Sequence, residues 1–258
     1  MPSAFSWPVL VPCAPSVLRR RLPLALGVKG GTLVDWRCNT IWVDQLSEGL
    51  YRPLDFSDRT QAKLRFDGYS YVWARKFRSK SFDLEDFPAD EAIQYLELEL
   101  SNIHSFIGLS RFGRIKRLEA HYCLKLVSDD GLCGVKDSLE WLHINQSKKF
   151  SVGDELLSLH NLKVLCLNSC APLADLEFLS AFPKLVDFRF VDTNVLSGDL
   201  TPIMKHPTLC SVGFLNKRHY NIKEKEADDH FSKKEMAAVE KVYKGQCETY
   251  RYIALDDA

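Results

Sequence analysis

The large apolar residues of this chain are spaced by three and then by two, and the pattern returns after a little over twenty residues. "IQYLEL" from Ile93, "IKRLEA" from Ile115, "LEWLHI" from Leu139, "LKVLCL" from Leu162, "LVDFRF" from Leu185 and "LCSVGF" from Leu209 align on LxxLxL, at successive offsets of 22, 24, 23, 23 and 24. Alternation inside each copy is that of a strand with one buried face. A fixed period of this length marks stacked repeats, in which no unit can bury its own apolar side and each neighbour does so for the next. Eight residues after the first five motif starts stand Ser101, Cys123, Ser147, Cys170 and Thr193, small side chains able to satisfy backbone groups in the tight bend where a strand ends. The sixth copy has Lys217 there, which predicts the end of the stack.

Between copies the apolar residues recur at every third position, as in Ile103, Phe106, Leu109, Phe112 and Ile115, and again in Leu173, Leu176, Leu179, Phe182 and Leu185. That period predicts a 3₁₀-like or tight helical return packed inward along one edge. Both ends of the stack need covers. Upstream, Asp67-Gly68 between alternating apolar residues predicts a hairpin that pairs Phe66 with Tyr69 and Leu64 with Tyr71. Downstream, Ser232 and Glu235 have capping-box spacing, and Met236, Val239 and Val242 predict a short closing helix ending at Gly245, with "NIKEKEADDHF" as a solvated connection before it. The expected organisation is a flexible extension or early-called start over 1–34, a capping region over 35–91, repeats over 92–216 and a second cap over 217–258.

The six LxxLxL copies resemble the leucine-rich repeat family, and its short repeats of about 22–24 residues in particular. The chain departs from that family in having Ser, Cys or Thr in place of the consensus asparagine, and in the less regular third copy, "SKKFSVGDELLSLHN". The resemblance implies an α/β solenoid: a horseshoe with a parallel sheet on its concave side and 3₁₀ or helical turns on its convex side.

Composition narrows the function. The chain has 258 residues, and its 34 basic and 34 acidic side chains leave no net charge, so the long-range attraction that loads proteins onto nucleic acid is missing overall. Lys148 with Lys149, and Lys217 with Arg218, are only short basic spots. No apolar run is long enough for a membrane span. The eight cysteines contain no CxxC pair, which predicts reduced, buried thiols and a cytoplasmic location over a disulfide framework or a zinc cluster. The first 34 residues carry Arg19–Arg21 and no acid; a targeting segment is the alternative to a flexible extension, but no small-residue cleavage site follows. "GVKGG" lacks the second half of a phosphate loop.

With the leucines pointing inward, the residues between them form columns across adjacent strands. The middle column is Glu97, Glu119, His143, Cys166, Arg189 and Gly213. One flank is Tyr95, Arg117, Trp141, Val164, Asp187 and Ser211; the other is Glu99, His121, Asn145, Asn168, Val191 and Leu215. Tyr95, Arg117 and Trp141 are the residue types that dominate binding energies, and are expected here as exposed anchors. Glu97, Glu99 and Glu119 would favour a partner with a basic patch. Tyr95, Glu97, Glu99, Arg117, Glu119, His121, Trp141, His143, Asn145, Asn168 and Arg189 therefore form the expected partner-binding set. The competing reading has the aromatics folded onto the sheet. A sharper alternative takes Glu119, His143 and Cys166 as acid, base and thiol, or as metal ligands, but an open sheet has no evident oxyanion hole or pocket. His104, His160, His206, His219 and His230 have no ligand spacing and are expected as surface or turn residues. The expectation is a monomeric, non-enzymatic protein-interaction module with no cofactor and no metal. Resemblance suggests an antitoxin-like immunity protein; the alternatives are an adaptor or targeting subunit for a phosphatase or ubiquitin ligase and, more weakly, a Cys-His hydrolase.

Overall fold

A computed structural model describes residues 52–57, 69–234, 239–244 and 247–252. Eight strands form a single open parallel sheet, arranged in chain order: β1 Arg52–Asp55, β2 Tyr71–Arg75, β3 Tyr95–Glu99, β4 Arg117–His121, β5 Trp141–Asn145, β6 Val164–Asn168, β7 Asp187–Arg189 and β8 Ser211–Gly213. Parallel neighbours need a crossover, and here it is the short return between successive strands. These returns include 3₁₀ turns at Leu109–Phe112, Leu132–Val135 and Glu177–Ala181, and the short helices α1 Asp154–Leu157 and α2 Thr201–Lys205.

Registers match motif position to motif position. Leu96 pairs with Leu118, Leu118 with Leu142, Leu142 with Leu165 and Leu165 with Phe188. All five of these side chains are fully buried, as are the third-position residues Ile103, Phe106, Leu109, Phe112 and Ile115 of the first return. One continuous core thus runs between the inward face of the sheet and the returns.

The bend after each strand is built the same way. Lys76, Leu100, Tyr122, Gln146, Ser169 and Asp192 all have φ between 50° and 58°, although none is glycine. The amides of the first five still bond the next rung, for example Leu100 N–H to His121 O at 2.9 Å and Tyr122 N–H to Asn145 O at 2.9 Å. The following small residue finishes the bend: Thr193 Oγ1 donates to Leu167 O at 2.7 Å and accepts from Cys170 N–H at 2.9 Å, and Cys170 Sγ lies 3.6 Å from Ile144 O.

Both ends differ from expectation. The tip and first arm of the expected hairpin, Leu64 to Gly68, lie outside the described residues. Its second arm, from Tyr71, is a rung of the parallel sheet, flanked by β1 and β3. The sheet therefore begins within the segment read as an N-terminal cap. At the other end, "NIKEKEADDHF" is not a mere connection. It holds a helix, α3 Glu224–Phe231, whose Ala227 and Phe231 are buried, and Ile222 ahead of it is buried too. Val239–Lys244, expected as the second half of a closing helix, is a strand, β9, paired antiparallel with β10 Cys247–Tyr252. β-branched and aromatic residues in both segments favour the strand state. Glu235 and Met236 lie outside the described residues, as do 1–34.

Candidate functional site

The face of the sheet opposite the core carries the expected columns in the expected register. Glu97 pairs with Glu119, Glu119 with His143, His143 with Cys166, and Cys166 with Arg189. β2 adds one more rung, with Tyr71 beside Tyr95, Trp73 beside Glu97 and Arg75 beside Glu99.

The expected exposed anchors are buried. Tyr95 is 3% exposed, Trp141 6% and Arg117 not at all. They form one stack along the flank: the Tyr71 and Tyr95 rings lie 3.9 Å apart at 4°, and the Arg117 guanidinium sits 4.7 Å from the Tyr95 ring and 3.5 Å from the Trp141 ring. Strand spacing brings flat groups on adjacent rungs to stacking distance, so each covers its neighbour's face. Beyond Trp141 the column turns apolar, and Trp141, Val164 and Cys166 make a small buried cluster.

Arg117 also fixes the centre of the site. Its Nε and Nη2 bond Glu119 Oε1 at 2.7 and 2.6 Å, and both side chains are wholly buried. Glu119 Oε2 lies 2.7 Å from His121 Nε2 and 3.7 Å from His143 Nδ1. Burial opposes the charge of Glu119, but Arg117 and the two imidazoles hold its carboxyl well below the ordinary value.

Asn168 assigns the His143 proton. Asn168 Oδ1 accepts the Val191 amide at 2.9 Å, so its Nδ2, at 3.0 Å from His143 Nε2, must donate. His143 Nε2 is then an acceptor and the ring proton sits on Nδ1, facing Glu119. Burial, aided by the charges on His121 and Arg117, lowers the His143 pKa, in keeping with a neutral ring. Asn145 Nδ2 lies 3.3 Å from His121 Nδ1. Burial pulls His121 down, yet its hydrogen bond to Glu119 and the charges of Glu119, Glu97 and Glu99 outweigh it and raise the pKa. Between β2 and β3, Tyr71 Oη donates to Glu97 Oε2 at 2.7 Å, and Trp73 Nε1 and Arg75 Nε lie 3.1 and 3.0 Å from Glu99 Oε2. Burial, reinforced by Glu119 and Glu99, raises the Glu97 carboxyl despite the pull of His121.

The concentrated negative charge expected of Glu97, Glu99 and Glu119 is therefore largely met from within: Arg75 answers Glu99, and Arg117 with His121 answers Glu119. Farther along, Arg189 Nε bonds Asp187 Oδ2 at 3.0 Å, and a side chain at Gly213 would crowd its guanidinium. β2 and its counter-charges are what sequence reasoning missed. The signal was present, since Tyr69 stands 24 residues before Ile93 and opens "YSYVWA", a degenerate copy of the motif. His206, expected at the surface, is buried with Nε2 at 3.2 Å from Leu179 O.

Glu119, His121 and His143 offer ligand atoms within 4.8 Å of one another, a set in which His121 takes the place expected for Cys166. The proton on His143 Nδ1 occupies the lone pair a metal would need, and the Asn168–Val191 contact holds it there, so this arrangement does not fit an ion. The acid–base–thiol alternative meets a similar obstacle: the basic nitrogen of His143 is engaged by Asn168, and burial keeps the Cys166 thiol far above its ordinary pKa. An open depression of about 520 Å³ lies elsewhere, lined by residues of α3 and by Met204, Lys223 and Lys233. The five described cysteines with placed side chains are free thiols. No helix among the described residues is long and apolar enough to cross a membrane. In comparisons with known proteins, no family model matches the chain and no curated protein matches it.

Proposed function

We propose that this chain is a non-enzymatic protein-interaction module, a leucine-rich-repeat solenoid that takes another protein on the outward face of its sheet, read as the concave side of a horseshoe. What carries this reading is the polar row Glu97, Glu99, His121, His143 and Asn145. These side chains are partly exposed and lie on three adjacent rungs; the buried Arg117–Glu119 pair holds the two imidazoles, Tyr71 holds Glu97, and Trp73 and Arg75 hold Glu99. Groups already fixed in one geometry lose little freedom when a partner arrives, which favours recognition. Tyr95, Arg117 and Trp141 belong to the scaffold of this face, and its contact positions are the polar row with Arg189. The preferred role is that of an immunity protein, in which basic residues of a toxin domain would meet Glu97 and compete with Arg75 for Glu99; the adaptor or targeting subunit is the second reading.

Affinity capture with the full chain tests this. A single basic protein encoded beside this gene, bound at least tenfold more weakly by a Glu97→Gln, Glu99→Gln double variant, supports the immunity role. A phosphatase or ligase subunit with the same sensitivity supports the adaptor. A partner indifferent to the double variant and to Asn145→Ala rejects the proposed face. For the hydrolase alternative, alkylation mapped by mass spectrometry at neutral pH is expected to leave Cys166 unmodified in the folded chain; rapid labelling of Cys166 would revive it.

A further inference from the structure

The edge of the sheet where β2 to β5 turn into their returns has a different character from the face just described. Phe82, His104 and Val127 stand on successive rungs there, joined by His104 N–H to Phe82 O at 2.6 Å and Val127 N–H to His104 O at 3.0 Å, and Ser151 continues the row through its amide to Val127 O. The Phe82 and His104 rings stack at 4.6 Å and 14°, and Lys125 Nζ lies 4.9 Å from the centre of the Phe82 ring. Phe82, Leu124 and Val127 are exposed by 36, 62 and 39%, three of the few large apolar side chains the described residues leave in water. Lys125 beside Phe82, with Arg78 and Lys80 in the segment after β2 and Lys148 and Lys149 in the segment after β5, are all exposed, and among the described residues none of the five forms an ion pair, although Arg78 Nη1 donates to Phe77 O and Leu100 O. Asp83 and Asp86 are turned to local backbone, accepting from Glu85 N–H and Lys80 N–H.

An uncompensated basic cluster around apolar side chains is unusual in a chain with no net charge, and its surroundings specify what would complete it. We propose that this edge is a second docking surface, independent of the sheet face, whose occupant is a protein segment carrying acidic residues interleaved with apolar ones. The acids would meet Lys80, Lys125, Lys148 and Lys149, and the apolar residues would cover Leu124, Val127 and the rim of Phe82. Nucleic acid fits less well, because the Phe82 ring is already stacked on the His104 ring and touched by Lys125, which leaves little of either ring for a base. An anionic membrane fits less well too, since Phe82, the largest apolar side chain of the patch, is stacked on His104 and only 36% exposed.

The test uses the purified full chain against a displayed library of random 16-residue peptides, with phosphatidylserine vesicles and a single-stranded DNA oligonucleotide as competing probes. The expected result is enrichment of peptides rich in Glu or Asp with Leu, Ile or Phe. Their binding should weaken at least tenfold on Lys125→Glu with Lys148→Glu, and again on Leu124→Ser, while Glu97→Gln leaves it unchanged. Leu124, Lys125 and Lys148 are exposed, and unchanged thermal melting of the variants excludes unfolding as the cause. Peptides without an acidic bias, binding that survives the lysine variants, tighter binding of vesicles or DNA than of peptides, or self-association abolished by Lys125→Glu would each overturn the proposal.

Discussion

Arg117 and Glu119 are both wholly out of water, and for such a pair the cost of removing one partner exceeds the worth of the bond, because the other charge is left buried alone. Glu119→Gln is therefore expected to destabilise the fold by about 3–5 kcal/mol, read by urea unfolding. Its pH dependence separates charge from shape. Glu119 titrates below its ordinary 4.5, so it contributes stability above that value and loses it as pH falls through the depressed one. His121 titrates above its ordinary 6.5, so its contribution is complete below that value and fades as pH rises through the raised one. Both slopes should flatten in Glu119→Gln; a variant that keeps the wild-type profile would mean that other groups carry it.

At the scale of elements, LxxLxL located β3 to β8 and fixed their register, because a parallel stack repeats the same inward positions on every rung. β2 was hidden by Tyr69, Val72 and Ala74 standing where leucines would be, with Asp67-Gly68 imitating a hairpin beside it. The helix α3 was masked by its charge, since only Ala227 and Phe231 mark its buried side. The columns of the site were equally legible, but not their burial, which depends on how Arg117 lies between two rings and on a rung the motif did not reveal. Glycine matters at the start of a return: Gly131 has φ 97°, and a Cβ there would come within 2.2 Å of Phe106 backbone. Gly131→Ala should cost about 1–2 kcal/mol from the left-handed backbone alone, before the clash is counted. Gly113→Ala is the control, because nothing lies within 4 Å of its Cβ position; equal melting of the two variants would remove the close approach as the cause.

For the whole molecule, stability in a stack is a sum of units and their interfaces, so damage at one end should stay there first. Phe231→Ala in α3 is expected to cost about 3–5 kcal/mol of local packing. By hydrogen exchange, the amides of β8 should lose protection before those of β4 and β5; uniform loss would show that the sheet opens as one body. The sheet also narrows along its length: β2 to β6 have five residues each, whereas β7 and β8 have three. An open parallel sheet ends in a row of unmet amides and carbonyls that a stranger could extend, and a short terminal strand offers such a recruit little to hold. The taper thus limits what the β8 edge offers to a second chain, and lengthening β8 by two β-branched residues is expected to promote self-association.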